Sequence, residues 1–380
     1  MSTSAPSSTP SRAYAAYRGG LAVIDDPTGE ATSSSIILDD RDVECVAATG
    51  STLFAGTFDE GLIRSTDAGE TVERLGTDAI DSSAVTAVAI SPHDPDVIWV
   101  GTEPSRVYRS TDGGDSFERR PGLRAVPSAA EWSFPPRPET DHVRWIEPAP
   151  ADPDRWYVGI EAGALLVTPD DGETWIDRPE GARRDNHTLA THPMVPKRVY
   201  AAAGDGYAES TDRGRTWTTR HDGLDHGYVW GLAVDPTDPE TVLVSAAANA
   251  SDAHRRGRSY LYRRSAPRSG HSTATDDGRT VTEERATGTT DEERTAAGTD
   301  GTTMAIDGER TVTTTWERLD GRGVPCGDGI RRAVLASGVA SGEFWMLHEG
   351  GLFRTTDTGD SFDRIDVDLP DSVPRALALA

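Results

Sequence analysis

One octet recurs five times along the chain and limits the possible folds more than any other feature. It reads Ser65-Thr66-Asp67-Ala68-Gly69-Glu70-Thr71-Val72, then Ser110-Thr111-Asp112-Gly113-Gly114-Asp115-Ser116-Phe117 and Thr168-Pro169-Asp170-Asp171-Gly172-Glu173-Thr174-Trp175. It returns as Ser210-Thr211-Asp212-Arg213-Gly214-Arg215-Thr216-Trp217 and as Thr355-Thr356-Asp357-Thr358-Gly359-Asp360-Ser361-Phe362. The shared grammar is Ser/Thr-x-Asp-x-Gly-x-Ser/Thr-aromatic, with valine once in the aromatic place. Each position suits a tight turn. The carboxylate accepts backbone amides, the glycine supplies a positive φ, and the hydroxyls bond the same turn. The last residue wedges into the apolar layer behind it. Such an octet closes a β-hairpin, so Asp67, Asp112, Asp170, Asp212 and Asp357 are expected to be structural.

Their spacings are 45, 58, 42 and 145 residues. The last gap holds an interrupted copy, flanked by strand-like Tyr260–Ser265 and Thr314–Leu319. Between them, residues 266–313 contain no aromatic residue and read as a disordered insertion at a hairpin tip. Each repeat carries four short strand signals. In one, Val85–Ile90, Val97–Val100 and Val107–Arg109 precede the octet, and Phe117–Arg119 follows it. Four strands in ~45 residues is the signature of a propeller blade. At the amino end, Tyr14–Tyr17 and Leu21–Ile24 read as second and third strands, and Asp25–Glu30 reads as a degraded octet, with no innermost strand before them. Arg375–Ala380 supplies the missing innermost strand. The expectation is an all-β, seven-bladed propeller of four-stranded antiparallel blades over residues 13–380, closed by pairing of its two ends; the spacing also admits six or eight blades. Residues 1–12 read as a disordered tail without an export signal.

The octet resembles the Asp-box (BNR) repeat, and the resemblance spans nearly the whole chain apart from the tail and the insertion. It implies a single-ring propeller of the kind that carries a generic glycosyl-hydrolase label, with the boxes on the face opposite any active site. Members of the family include sialidases, xyloglucanases, sortilin-type receptors and photosystem II assembly factors. The sialidase Arg-Ile-Pro is missing here and Arg18 is the only arginine near it, which argues against sialidase activity. Xyloglucanases place substrate between two tandem rings, and this chain has one.

Composition narrows the setting. There are 63 acidic and 38 basic side chains, a formal charge of −25, and Lys197 is the only lysine. That balance repels nucleic acid. It resembles salt-in halophile proteins, haloarchaeal in type, whose charge molar salt screens. No apolar run is long enough for a membrane span. Cys45 and Cys326 form no metal or redox spacing, so the expected setting is a reducing cytoplasm, with no metal, no cofactor and a monomeric chain.

Ligand chemistry is expected at the channel mouth, on the face carrying the links between blades. The longest link, Arg124–His142, offers Glu131, Trp132, Phe134, Arg137 and His142 as a rigid platform, with Arg144 beyond it. Other links and turns offer Asp185, His187, His226, Tyr228, Trp230, His254 and Arg331. Seven carboxylates fall on this face: Glu103, Glu131, Glu161, Asp185, Asp205, Asp225 and Glu349. Glu131 and Asp185 are the catalytic candidates. The expected function is a non-catalytic scaffold binding a carbohydrate-like ligand or a protein partner. The alternative is a glycoside hydrolase or lyase, for which the carboxylate spacing decides the chemistry.

Overall fold

The computed structural model describes residues 10–29, 31–265 and 315–380. Most of the expected tail and all of the expected 266–313 insertion lie outside the described residues. The described chain forms seven four-stranded antiparallel blades, one of them with an added short strand. Numbering blades along the chain, blade 1 pairs Ala376–Leu379 with Arg12–Tyr17, Gly20–Asp25 and Ser33–Ile37. Blade 2 begins at Val43–Thr49, blade 3 at Ala84–Ile90 and blade 4 at Val143–Pro148. Blades 5, 6 and 7 begin at Asn186–Thr191, Tyr228–Val234 and Val334–Ser337. Closure is by chain ends: Ala13 faces Leu379, Ala15 faces Leu377, and the backbones of Arg12 and Ala380 bond each other in both directions at 2.9 and 3.0 Å. Among the described residues no helix is long and apolar enough to cross a membrane.

Burial runs outward from the axis. Second strands such as Trp156–Ile160 and Val199–Ala203 are wholly buried, because both faces meet neighbouring blades. Fourth strands such as Glu118–Arg119 and Thr218–Thr219 are exposed edges. Apolar side chains interleave between adjacent blades, with Trp99 stacked on Trp156 at 4.6 Å. Burying such an aromatic pair stabilises the interface by several kcal/mol before entropy is counted.

The innermost strands share an irregularity. In blades 2 to 6 the register slips by one residue, leaving Glu44, Thr86, Arg144, His187 and Trp230 as the extra residues. A bulge re-aims one side chain against the alternation of its strand. Opposite three of these slips stand Gly56, Gly101 and Gly159. A Cβ on Gly101 would come within 2.4 Å of Val143, so these glycines let neighbouring blades close up where the strand buckles.

All five octets build the same turn. In the last, Thr355 Oγ1 donates to Asp357 Oδ1, and the Ser361 amide and hydroxyl donate to the same carboxylate at 2.9 and 2.6 Å. Gly359 N–H returns to Thr355 Oγ1 at 2.9 Å. The glycine is left-handed in every copy, from φ 79° at Gly214 to 101° at Gly69, but so is the residue before it, including Ala68, Asp171, Arg213 and Thr358. The sequence pattern marks only the glycine. Phe117, Trp217 and Phe362 are buried behind their turns, whereas Val72 is exposed. Among the described residues of the degraded octet, 25–29, Asp25 pairs with Arg12 instead.

Candidate active site

The links and second-to-third strand turns surround a cavity of about 740 Å³ at the channel mouth. Four of the five bulge residues (Glu44, Thr86, Arg144 and Trp230) line it, joined by Arg332 and Arg375 just before the innermost strands of blades 7 and 1. Glu44, Arg144, Trp230 and Arg375 also line a smaller space of about 180 Å³ further down the channel, so they form its constriction. The fifth bulge residue, His187, is fully buried behind Asp185.

Two carboxylates converge here. Glu161, on the turn between the second and third strands of blade 4, is buried, and Asp185, on the link into blade 5, is half-buried. One oxygen of each and a ring nitrogen of His187 lie within 4.8 Å of one another. Glu161 Oε2 meets His142 Nε2 at 3.0 Å and lies 3.6 Å from Arg144 Nε. Burial alone would raise the Glu161 carboxyl, but the His142 hydrogen bond and the facing His142, His187 and Arg144 outweigh it and hold it well below the usual range. Asp185 goes the other way: burial pushes it up, and nearby Glu161 and Asp205 add to the rise against His187 and the Ala162 amide. Ala162 N–H donates to Asp185 Oδ1 at 2.8 Å. Gly204 is the residue that makes room, since a Cβ there would fall 1.9 Å from Asp185 Oδ2.

A second network fixes the rings around the pair. Arg332 Nε–H donates to His254 Nδ1 at 3.1 Å, which makes His254 Nε2 the donor to Tyr228 Oη at 2.7 Å. Tyr228 Oη lies 3.3 Å from His187 Nε2, and His187 Nδ1–H donates to the Val229 carbonyl at 2.8 Å. Desolvation, with Arg332 beside it, lowers His254 to about 3, consistent with a neutral ring accepting from the guanidinium. Glu161, Asp185 and His187 could each offer one atom to a cation, but Glu161 is already neutralised by His142 and Arg144, and we assign no metal.

The long link is folded as two 3₁₀ turns, Leu123–Ala125 and Pro127–Glu131. Its far end reaches the cavity: Arg137 grips Glu103 with two bonds of 2.8 and 2.5 Å and stacks over Phe58 and Phe134. Phe134 in turn packs edge-on to His142 at 4.7 Å.

Of the residues nominated from sequence, Asp185, Phe134, Arg137, His142, Arg144, Tyr228, Trp230 and His254 share this cavity. Others stand apart from it. Glu131 turns outward, 62% exposed, and pairs with Arg178, because the 3₁₀ turn that ends on it carries Trp132 into the core. Trp132 is buried there with Nε1 bonded to Ser128. His226 is stacked on Tyr260 and bonded to Tyr262 at the flank of blade 6. Arg331 faces Glu349, and its neighbour Arg332 takes the cavity position. Glu161 stood among seven link carboxylates without a mark, and the signal that singles it out is its spatial pairing with Asp185.

No family model matches the chain. Xyloglucanase Xgh74A of Acetivibrio thermocellus is 25% identical over 223 residues, covering 49% of this chain and 26% of the relative. The GH74 enzyme of Niastella koreensis superposes with a TM-score of 0.59 at 14% identity, over 97% of this chain and 52% of that one. The structure of YCF48 bound to D1 peptide aligns with a TM-score of 0.50 at 16% identity, over 85% and 81%. The chain spans about a quarter of the length of the curated relatives it matches. The sequence relatives are xyloglucanase-like proteins, and the solved structures establish the propeller fold.

Proposed function

We propose that this propeller is a glycoside hydrolase working through Glu161 and Asp185 at its channel mouth. The observation that carries the reading is the pair itself: two close carboxylates in one cavity, one held ionised by His142 and Arg144, the other pushed toward its protonated form. Environments that drive two carboxyls apart divide the roles of acid and nucleophile between them. A separation within 4.8 Å matches the ~5 Å of retaining enzymes and leaves no room for the water of an inverting one. Asp185 would give its proton to the glycosidic oxygen while Glu161 attacks the anomeric carbon, breaking the C–O bond and forming a glycosyl ester. Asp185, now a carboxylate, would take a proton from water as that water opens the ester. Trp230 and Tyr228, both buried, form part of the cavity wall. The xyloglucanase names of the relatives support the class of reaction.

A screen of aryl glycosides and oligosaccharides against the wild-type chain, Glu161→Gln and Asp185→Asn tests the proposal. Turnover lost in both variants supports it, and turnover that survives Glu161→Gln refutes it. The second reading is the binding scaffold, favoured by one observation: Glu161 is already satisfied within the protein, as in a rigid floor for a docked ligand. Silence across the panel together with saccharide or peptide binding would select it. The octet geometry supports membership of the Asp-box family. The lysine-poor acidic composition supports a halophilic origin, for which melting at 0.1 M and 3 M KCl is the check: equal stability refutes it.

A further inference from the structure

The chain carries 63 acidic against 38 basic side chains, yet its cavity reverses the balance. Six arginines line it (Arg18, Arg137, Arg144, Arg255, Arg332 and Arg375) against four carboxylates. Four of the arginines are matched internally. Arg18 and Arg375 face Asp42, Arg375 also meets Glu44, Arg137 grips Glu103, and Arg144 lies near Glu161. Arg332 and Arg255 have no carboxylate within ion-pair distance among the described residues. Arg332 bonds instead to neutral groups, His254 Nδ1 and the Pro374 carbonyl.

Arg332, one of the two unmatched arginines, stands beside Arg144. The guanidinium carbons of Arg332 and Arg144 lie 4.2 and 4.8 Å from the centre of the Trp230 ring, so two like charges share one indole in a half-enclosed space. Desolvation, with Arg144 beside it, lowers Arg332 to about 10. Arg144 Nε is buried without a hydrogen-bond acceptor. A buried cation pair with spare N–H donors is costly unless a ligand brings the missing charge. Guanidinium forks are matched to oxyanions.

We infer that the saccharide taken by this cavity is acidic, with its carboxylate or sulfate seated where Arg332 and Arg144 meet Trp230. The inference rests on the saccharide reading above and goes beyond the neutral or acidic choice that reading leaves open. Arg255, exposed at the mouth on the single helical turn Asp252–Arg256, adds a third positive charge on the approach.

Isothermal titration of the wild-type chain with tetragalacturonate, a sulfated carrageenan tetrasaccharide and cellotetraose tests this. At least one of the two acidic probes binds tenfold or more tighter than cellotetraose, and the better of the two identifies carboxylate or sulfate as the charged group. Arg332→Met brings that probe down to the neutral level, and Arg255→Gln, which does not depend on a buried side chain and keeps the test valid if Arg332→Met fails to fold, costs it about threefold. Cellotetraose binding as tightly as both acidic probes, or an acidic preference unmoved by either variant, overturns the inference. The two readings fail separately. Cleavage of neutral glycosides that depends on Glu161, without acidic preference, removes this inference alone. Arginine-dependent binding of acidic probes without any cleavage removes the hydrolase alone.

Discussion

On one face of the ring the same turn is made five times, from Ser65–Thr71 to Thr355–Ser361, with the same hydrogen bonds to the same carboxylate. On the other face the connections differ: one link runs through a pair of 3₁₀ turns, the link into blade 2 is only residues 38–42, and a second-to-third strand turn of blade 6 carries a single helical turn. Repetition suits a task that every blade shares, namely closing its outer hairpin. Irregularity suits a task performed once, because a single ligand breaks the ring's symmetry and each blade contributes a different group. The bulges connect the two. They recur in five blades, which makes them architectural, yet the side chains they re-aim are Glu44, Thr86, Arg144, His187 and Trp230, which have almost no chemistry in common.

This contrast predicts that substitutions on the two faces affect different measurements. The largest effect is expected at Glu161. Glu161→Gln lowers turnover by about 10³-fold or more, through loss of the nucleophile. Asp185→Asn costs about 10²-fold. It also removes the alkaline limb of the pH–rate profile, since activity requires protonated Asp185 and falls as pH rises through that group's raised pKa. An acid variant that leaves the alkaline limb in place would assign the limb to another group.

On the octet face the pattern reverses. Asp357→Ala removes three hydrogen bonds from an exposed turn, worth about 1–2 kcal/mol in total. That lowers the melting temperature by about 2–4 °C, with turnover unchanged. Hydrogen bonds from Ser361 and Thr355, acting against partial burial, hold Asp357 at about 2. The folded pKa is depressed, so the turn's contribution is fully present above pH ~4 and fades as pH falls toward 2. A loss of turnover in this variant larger than its loss of stability would erase the distinction between the faces.

The smallest effect is expected at Glu147, on the innermost strand of blade 4, whose carboxylate accepts from Trp145 and from Thr191 of blade 5. Desolvation raises it from 4.5 to about 7. The folded state therefore prefers the protonated form, and stability declines as pH rises from about 4.5 to about 7. The decline is about 1–2 kcal/mol after discounting for partial exposure. Glu147→Gln flattens that decline, which pH-dependent melting would reveal.

How much of this could be read from the sequence follows the same division. The octets fixed the outer hairpins, their spacing gave the blades, and the small apolar run at Ala376–Leu379 supplied the closing strand, because each is a local pattern with a local cause. The link residues were legible only as a region. Phe134 and Arg137 reach the cavity, but Glu131 and Trp132, a few residues earlier on the same link, do not. The 3₁₀ turn Pro127–Glu131, which ends on Glu131 and leads Trp132 into the core, leaves no periodic trace in the sequence. Glu161 and Asp185 are 24 positions apart on different blades, and only the packing of blade 4 against blade 5 makes them a pair. The bulges were invisible for a related reason: a one-residue slip preserves composition and disturbs only the alternation.

The claim that joins these observations is that the mouth of the ring performs retaining chemistry through its two carboxylates. The most direct measurement is the anomeric configuration of the first product, followed by NMR on the glycoside that the wild-type chain turns over best, with Glu161→Gln alongside. The account predicts that the product keeps the substrate's configuration and that the variant forms none. An inverted first product, or turnover undiminished in Glu161→Gln, would contradict it.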